Sequence, residues 1–454
     1  MDVLIVGAGP TGLTLAIELQ RRGVPHRLVE AGPGPFEGSR GKGLQPRTLE
    51  VLDDLGILDR FLAAGGPYPP LRIHRPDGQE VDRRMAEVYE PTPAVPHPNG
   101  LMVPQFRTGQ LLAARLAELG GTVEYGTAVT GFTQDEHGVH ATLSTGETVT
   151  SRYLVGADGG RSIVRKTLGV GFEGETHETQ TMLIADVRLT GLSRDAWHVW
   201  PGPDGRTQAL AICPLAGTDL WQIFAPGADS VPRTVAALAP QVTITDTAWT
   251  SQWRANFRMV DRYRVGNVFL AGDAAHVHSP AGGQGLNTGI QDAYNLGWKL
   301  ASGDGKLLDT YEEERLPVAA GVLGISTRLH AKQAEGVEEA MRRDDPVLRQ
   351  LSLNYRDSSL SVEHRAEPGA VRAGDRAPDV NGRIFAMLRG PHWTLLAFDM
   401  AAPALPGVAT FEITTDALTR EVYDIAEPAL FLVRPDNYLA CVTEDPADVV
   451  AFRR

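Results

Sequence analysis

A glycine-rich segment near the N-terminus holds the first residues whose types and spacing point to chemistry. It reads Gly7-Ala8-Gly9-Pro10-Thr11-Gly12 and follows the apolar run at residues 3–6. In such a pattern the first glycine permits a tight turn, the second lets a pyrophosphate approach the backbone, and the third allows close packing of a helix on a strand. The free N–H groups of that helix would favour phosphate charge. We therefore expect a bound dinucleotide at this turn.

An acidic residue further along the chain indicates which dinucleotide is bound. Glu30 ends the apolar run at residues 26–30 and is followed by Ala31. A carboxylate at the end of this second strand can hold both ribose hydroxyls of an adenosine, and it would repel a 2′-phosphate. The tightly held nucleotide is therefore expected to be FAD or NAD, and not NADP.

Two further segments also place the end of a strand before the start of a helix. One is Gly156-Ala157-Asp158-Gly159-Gly160, and the other is Gly272-Asp273-Ala274-Ala275-His276, after the apolar residues 268–271. An aspartate at a strand end can accept hydrogen bonds from sugar hydroxyls. The following run, residues 280–287, opens another helix, whose free N–H groups can stabilise an anion such as a reduced flavin.

The composition restricts the setting in which this chemistry occurs. The 454 residues allow two to four domains, and the formal charge of −13 argues against nucleic acid and anionic membranes as partners. Cys213 and Cys441 have neither disulfide nor zinc spacing, which suits a reducing compartment. No apolar run reaches the ~18 residues that span a bilayer, and Asp2 directly after Met1 argues against a signal peptide. We expect a soluble cytoplasmic protein.

Hydrophobic spacing assigns these segments to secondary-structure elements. Residues 3–6 and 26–30 predict parallel strands around a helix from Leu13 to Arg22, which together form a βαβ unit. The other predicted elements are a helix at 106–119, antiparallel strands at 121–155, a strand-rich region at 172–260, and helices at 289–300 and 307–343.

The strand-rich region contains five of the seven tryptophans, Trp197, Trp200, Trp221, Trp249 and Trp253. Indole rings on a sheet can form the floor of a pocket for a flat apolar ligand, or they can fill the core of the sheet itself. We keep both interpretations for each tryptophan.

The three glycine-containing segments, in this order, resemble the flavoprotein aromatic hydroxylases, the group A monooxygenases typified by p-hydroxybenzoate hydroxylase. The run from Gly283 to Leu300, with the sequence GQGLN followed by QDAYNLGWKL, is most similar to the bacterial branch that hydroxylates polyketide antibiotics. The resemblance implies an α/β fold with a Rossmann-like FAD-binding domain of the glutathione reductase and p-hydroxybenzoate hydroxylase type. It also implies a β-sheet substrate domain and a C-terminal thioredoxin-like domain that lacks redox cysteines.

The resemblance also implies domain boundaries. The FAD-binding domain is expected to be discontinuous, at 1–70, 101–171 and 261–330, with a substrate-binding domain at 71–100 and 172–260. A helical linker at 331–377 would lead to the thioredoxin-like domain at 378–454, in which Cys441 is the one cysteine.

Family pattern further suggests which residues bind the cofactor. Those expected at the ADP half of FAD are Gly7, Gly9, Pro10, Thr11, Gly12, Glu30 and Ala31. Those expected along the pyrophosphate and ribityl chain are Arg40, Gln105 and Asp273, and Asp158 would serve both FAD and the nicotinamide nucleotide. Those expected beside the isoalloxazine are Pro280, Gly283 and the backbone of Gly285, Leu286 and Asn287.

The implied reaction is hydroxylation of an aromatic polyketide-type substrate. NADPH or NADH would reduce FAD and leave, and O2 would then form a C4a-hydroperoxyflavin that transfers its distal hydroxyl. The single dinucleotide fingerprint agrees with a transient hydride donor. No catalytic side chain is certain, because the flavin does the chemistry; Pro280 and His276 are expected near it. Expected partners are a polycyclic aromatic small molecule and O2, with no metal, no nucleic acid and no membrane, in a monomer or homodimer.

Several alternatives stand beside this interpretation. One is a flavin-dependent reductase or dehydrogenase, and another is a Baeyer–Villiger or N-hydroxylating monooxygenase that acts on a polyketide or antibiotic. A flavin halogenase is disfavoured because its Trp-x-Trp-x-Ile-Pro signature is absent. A protein of a different class, which binds FAD and sequesters a drug or pigment without turnover, would not oxidise NADH or NADPH.

Overall fold

The computed structural model describes residues 1–202, 204, 208–278, 282–332, 342–343 and 345–453. Its helices are α1 (Pro10–Gln20), α2 (Pro46–Asp54), α3 (Leu58–Ala64), α4 (Gln105–Glu118), α5 (Ile163–Leu168), α6 (Val231–Leu238), α7 (Gly285–Ser302), α8 (Gly305–Ala331), α9 (Arg383–Leu388), α10 (Ala417–Tyr423) and α11 (Pro446–Phe452). Short 3₁₀ helices lie at Gly272–Ala274 and Pro346–Arg349. No described helix is both long enough and apolar enough to cross a membrane.

The strands, in chain order, are β1 (Val3–Val6), β2 (His26–Val29), β3 (Gly43–Leu44), β4 (Leu71–His74), β5 (Glu80–Arg83), β6 (Leu101–Met102), β7 (Val129–Asp135), β8 (Gly138–Leu143), β9 (Thr148–Ser151), β10 (Tyr153–Gly156), β11 (Phe172–Thr190), β12 (Trp197–Pro201), β13 (Gln208–Pro214), β14 (Trp221–Pro226), β15 (Thr243–Val260), β16 (Arg264–Val265), β17 (Val268–Leu270), β18 (His276–Val277), β19 (Val362–Glu363), β20 (Trp393–Phe398), β21 (Val408–Ile413), β22 (Ala429–Val433) and β23 (Leu439–Thr443). Together with the helices they make a mixed α/β fold.

The N-terminal sheet is built around β1, whose four apolar residues are all buried. Its strand order is β16-β17-β10-β1-β2, and β1 runs parallel to both β2 and β10. The sequence predicts antiparallel strands throughout 121–155. That prediction is correct for β7 to β9 but wrong for β10, because all four residues of β10 are buried between β1 and β17, as in the centre of a parallel sheet.

The second sheet has eight strands in the order β18-β15-β11-β14-β13-β12-β4-β5. Neighbouring strands are antiparallel, except that β12 and β4 are parallel. Helix α6 interrupts the strand-rich region and packs on one face of this sheet, through Val231 and Val235. The predicted elements do not include α6, α2 or α3, each of which is under three turns long.

The C-terminal sheet has the order β19-β23-β22-β20-β21. Strand β19 lies inside the stretch predicted as a helical linker, and it pairs with β23. Apart from the end of α8 and the 3₁₀ helix at Pro346–Arg349, the described part of that stretch is not helical. The C-terminal sheet therefore includes chain from before residue 378, because Ala373 and Ala377 also lie in its core.

Candidate functional site

The first glycine-rich turn forms an open cradle at the start of α1. Gly7 has φ +104°, and a Cβ atom there would lie 2.5 Å from the carbonyl oxygen of Ala157. A Cβ on Gly12 would lie 1.9 Å from the Gly7 oxygen, whereas a Cβ on Gly9 would meet nothing within 4 Å. No side chain caps α1, and its first turn contains no acidic residue. The turn therefore fits the pyrophosphate of a dinucleotide, which needs close backbone approach and free N–H groups.

Glu30 is held beside this cradle by two backbone groups. Its carboxylate accepts hydrogen bonds from the N–H groups of Ala8 and Gly32, both at 2.8 Å. Each carboxylate oxygen has a further lone pair for a ribose hydroxyl. Ala31 is exposed next to Glu30, so both residues lie where the adenosine half of FAD is predicted.

Thr11 joins the cradle to the segment that contains Asp273. A Cβ on either Gly272 or Gly289 would lie 2.5 Å from the Thr11 hydroxyl, so the Thr11 side chain fills the space that both glycines leave. Asp273 lies in the 3₁₀ helix at Gly272–Ala274 and contacts solvent. Protein atoms around its carboxyl raise the pKa of Asp273, and His276 and Arg40 oppose that shift. Arg40 therefore lies near Asp273, as the predicted contacts with the cofactor require.

His276 is buried in an ion-pair network and is not free to move. Its Nε2 lies 2.7 Å from Asp292, which also accepts a hydrogen bond from the Gly272 N–H at 3.0 Å. The second oxygen of Asp292 accepts from Arg315 Nε at 2.7 Å. Burial would raise the pKa of Asp292, but Arg315 and His276 bring it below its ordinary value. Asp292 thus holds the Gly272 turn in place, a role that sequence patterns did not reveal.

A second cluster joins the chain around Arg40 to the start of α7. The Gly41 N–H donates to Gln105 Oε1 at 3.0 Å, and a Cβ on Gly41 would lie 3.7 Å from Leu286 Cβ. Asn287 accepts from the Gln45 N–H at 2.7 Å and donates to the carbonyls of Gly43 and Gly283, at 2.9 and 2.8 Å. The Asn287 side chain therefore ties the segment that contains Gly43 and Gln45 to the start of α7.

Asp158 and Gly285, two of the predicted cofactor-binding residues, contact other parts of the chain. Asp158 accepts from the N–H groups of Ile163 and Val164, at 2.7 and 3.3 Å, and so caps α5. Burial raises the pKa of Asp158, and its second oxygen has no hydrogen-bond partner among the described residues. Pro280 lies outside the described residues. Gly285 is close to the His278 ring, since a Cβ there would lie 3.2 Å from it.

The eight-stranded sheet turns one face toward the segment 38–43, which we call the docking loop. A Cβ on Gly38 would lie 2.2 Å from the Trp249 ring, and Gln222 donates to the carbonyl of Ser39. The cross-strand register places side chains on this face in rows. The first row contains Trp249, Asp186, Gln222 and Cys213, and the second contains Ser251, Ile184, Phe224, Ala211 and Val199. We call this the inner face of the sheet.

The five tryptophans divide between the two faces of this sheet. Trp200 and Trp221 are buried in the core that α6 covers. Trp249 and Trp253 lie on the inner face, as their pairing with Asp186 and Met182 shows. A cavity of about 840 Å³ has Tyr68, Met102 and Arg194 in its wall, and no residue of the two rows of the inner face lines it. The interpretation as core is therefore correct for Trp200 and Trp221, Trp197 packs against the buried cluster that contains Leu71 and Val199, and Trp249 meets Gly38 of the docking loop.

These features define a flavoprotein with a dinucleotide cradle at one sheet and an aromatic surface at another. Residues 1–326 match the family model described as an FAD binding domain. The chain is 46% identical to a flavin-dependent monooxygenase of Mycobacteroides abscessus, over 100% of this chain and 99% of that protein. It is 34% identical to a rifampicin monooxygenase of Streptomyces venezuelae, over 99% of this chain and 97% of the relative.

A solved structure of a flavin-dependent hydroxylase has a similar fold. The fold matches aklavinone-11 hydroxylase in its ternary complex with FAD and aklavinone, with a TM-score of 0.83 and 27% identity, over 100% of this chain and 98% of that one. The chain belongs to the FAD-binding-domain family of flavin-dependent monooxygenases. The predicted family, the FAD cofactor and the monooxygenase activity are confirmed.

Proposed function

We propose that this enzyme uses NADPH or NADH and O2 to hydroxylate a polycyclic aromatic, polyketide-type small molecule. The observation that carries the proposal is the inner face of the eight-stranded sheet, where Trp249, Trp253 and Phe224 share a surface with aliphatic side chains. Flat aromatic molecules bind such surfaces through apolar contact and ring packing. Two relatives, by name, act on rifampicin and aklavinone, which agrees with a large substrate.

The predicted cofactor contacts fall in two regions, the cradle at the start of α1 and the cluster at the start of α7. In this proposal the cradle from Gly7 to Gly12 and Glu30 bind the ADP half of FAD, while Gln105, Leu286 and the backbone of Asn287 border its other half. Bound FAD supplies the electron transfer and the activation of O2. The uncapped start of α7, at Gly285, directs free N–H groups toward developing negative charge. The docking loop and the inner face exclude water from the substrate.

We further propose that the domains follow the predicted boundaries, with β19 added to a thioredoxin-like C-terminal domain. The hairpin β22–β23 followed by α11, beside the parallel pair β20 and β21, supports this assignment. The buried Cys441 thiol does not support redox chemistry, because burial raises its pKa to about 12.

The experiment that tests the proposed function measures the origin of the oxygen. The purified holoenzyme would be incubated with NADPH and ¹⁸O2 and with rifampicin, aklavinone or anhydrotetracycline, and the products analysed by mass spectrometry. We expect one compound to gain one oxygen atom that carries the ¹⁸O label. A matched control is Gly12→Ala, which should bind no FAD because its Cβ would lie 1.9 Å from the Gly7 oxygen.

Other products would contradict ring hydroxylation in distinct ways. A labelled oxygen inserted into a carbon–carbon bond would indicate Baeyer–Villiger chemistry, and one attached to nitrogen would indicate N-hydroxylation. Loss or gain of hydrogen without label would indicate a dehydrogenase or a reductase. Absence of NADPH and NADH oxidation with every compound would indicate a binding protein.

A further inference from the structure

Lys42 is a positive charge on the docking loop that points at the inner face of the sheet. Its ammonium donates a hydrogen bond to the side-chain oxygen of Gln222 and lies 4.1 Å from the centre of the Trp197 ring. Lys42 is half-buried, and the neighbouring Gly41 is the residue that contacts Gln105. The ammonium therefore lies between the predicted flavin-binding segment and the proposed substrate surface.

Among the described residues, no carboxylate is hydrogen-bonded to the ammonium of Lys42. A lysine ammonium has three N–H donors, and within the described part of the chain only Gln222 accepts from it, with no carboxylate oxygen within 4 Å. Asp186, in the first row of the inner face, is a carboxylate that acts on its charge. Asp186 is fully buried, and Ser39, Lys42 and Gln222 oppose the rise that burial causes in the pKa of its carboxyl. Polar groups withdrawn from water are normally satisfied, so the ammonium of Lys42, with one neutral acceptor among the described residues, is incompletely paired.

The charges around Lys42 favour the binding of an anion by its ammonium group. Burial lowers the pKa of Lys42, with a further contribution from the nearby Arg343 cation. The Cys213 thiol contributes no charge at neutral pH, because burial raises its pKa to about 11. A cation withdrawn from water is costly unless an anion pairs with it, and a charged hydrogen bond to an anion is stronger than one to a neutral group.

We propose that Lys42 binds an ionised oxygen, a phenolate or enolate, of the aromatic substrate, whose rings lie beside Phe224 on the inner face. The assignment rests on the proposed aromatic hydroxylation, and it deepens it by naming the substrate's charge. An oxygen at Lys42 accepts from one of the remaining N–H donors of the ammonium. It also fixes which edge of the ring system faces the docking loop, so Lys42 determines specificity for acidic phenols over their neutral ethers.

The test compares two anthraquinones of nearly the same shape. Alizarin, whose first phenol ionises near neutral pH, is titrated into the FAD-containing enzyme at pH 7.5 without NADPH, and 1,2-dimethoxyanthraquinone is titrated in parallel, both by calorimetry. We expect the wild type to bind alizarin at least about tenfold more tightly, the factor that corresponds to one charge-assisted hydrogen bond. Lys42→Met should lose about tenfold in affinity for alizarin and keep the affinity for the ether.

Two further variants keep the result interpretable. Lys42→Arg retains the charge and should retain most of the preference for alizarin, even if Lys42→Met folds poorly. Lys306→Met removes an exposed lysine on α8 and should bind both probes as the wild type does. The FAD content of every variant is measured by absorbance, so that cofactor loss is separated from ligand loss.

The assignment is overturned if the wild type binds the two anthraquinones with equal affinity, or binds neither. It is also overturned if Lys42→Met loses the same affinity for both compounds. A third contrary result is a Lys42→Arg variant that keeps its FAD but no longer prefers alizarin. These titrations require no turnover, so their result does not depend on the proposed hydroxylation. If the enzyme prefers alizarin but incorporates no ¹⁸O into any compound, the hydroxylation is contradicted and the anion site at Lys42 is still supported.

Discussion

Lys299 and Lys42 are two lysines withdrawn from solvent, fully for Lys299 and partly for Lys42, and burial lowers the pKa of both. Their partners differ. Lys299, whose pKa falls to about 8, donates to the Glu314 carboxylate at 2.6 Å. Glu314 also accepts from Arg434 at 2.9 Å and from Ser358 at 2.7 Å. Among the described residues, Lys42 has one neutral acceptor and an aromatic ring.

This difference separates charges that hold the fold together from charges that receive a ligand. The network around Glu314 joins α7 and α8 to the C-terminal sheet, since Arg434 also contacts Asp436. Through α7 it adjoins a second satisfied network, in which Asp292 binds Arg315 and the Gly272 N–H. Every charge in these networks has a counter-charge within the chain. At Lys42 the described part of the chain supplies fewer partners than the ammonium can use.

The largest expected effect comes from Lys299→Met. Removing one member of a buried ion network leaves an uncompensated charge. We expect the free energy of unfolding to fall by roughly 3 kcal/mol, which is at the lower end of the usual cost of breaking a buried ion pair. The cost is at the lower end because Arg434 still binds Glu314. Urea denaturation of the holoenzyme measures it. Lys42→Met is the matched control and should change the free energy of unfolding by less than ~1 kcal/mol. Equal losses in the two variants would contradict the distinction between them.

A smaller effect is expected from Asp186→Asn, and it depends on pH. Burial raises the pKa of Asp186 to about 6, against the opposing effects of Ser39 and Lys42. At pH values between the ordinary pKa of an aspartate and about 6, the carboxyl of Asp186 is therefore protonated in the folded protein and ionised in the unfolded chain. Above pH 6 the wild type bears the full cost of the buried carboxylate, and this cost declines as the pH falls through 6.

We therefore expect Asp186→Asn to be about 1 kcal/mol more stable than the wild type at pH 7.5, and to lose most of that advantage at pH 5, since one pKa unit corresponds to about 1.4 kcal/mol. Urea denaturation at both pH values measures the change. A variant that is less stable than the wild type at pH 7.5 would show that Asp186 and Lys42 form a stabilising ion pair, and the comparison with Lys299 would then fail.

The parts of the site that sequence patterns predicted depend on neighbours in the chain. The turn from Gly7 to Gly12 follows from the steric needs of a strand, a turn and a helix. The spacing of the tryptophans also carries usable information, since Trp249 and Trp253 are four residues apart and so share a face of β15, whereas Trp197 and Trp200 are three apart and do not. Which face meets the docking loop depends on strand register, which no local pattern reveals.

The residues that sequence reasoning missed act across long separations. Lys42 meets Gln222 from 180 positions away, and Arg315 reaches Asp292 only because α8 packs beside α7. Nothing near Lys42 in the sequence distinguishes it from an exposed lysine. Asp292 lies in the run that resembles the polyketide hydroxylases, but its contact with Gly272 becomes visible only in three dimensions.

The most direct test is a crystal structure of the FAD-containing enzyme with alizarin bound. Our account predicts that the ionised oxygen lies about 2.8 Å from the Lys42 ammonium, the usual length of a charge-assisted hydrogen bond, with the rings beside Phe224. An alizarin molecule bound elsewhere, or bound on the inner face with its ionised oxygen turned away from Lys42, would contradict it.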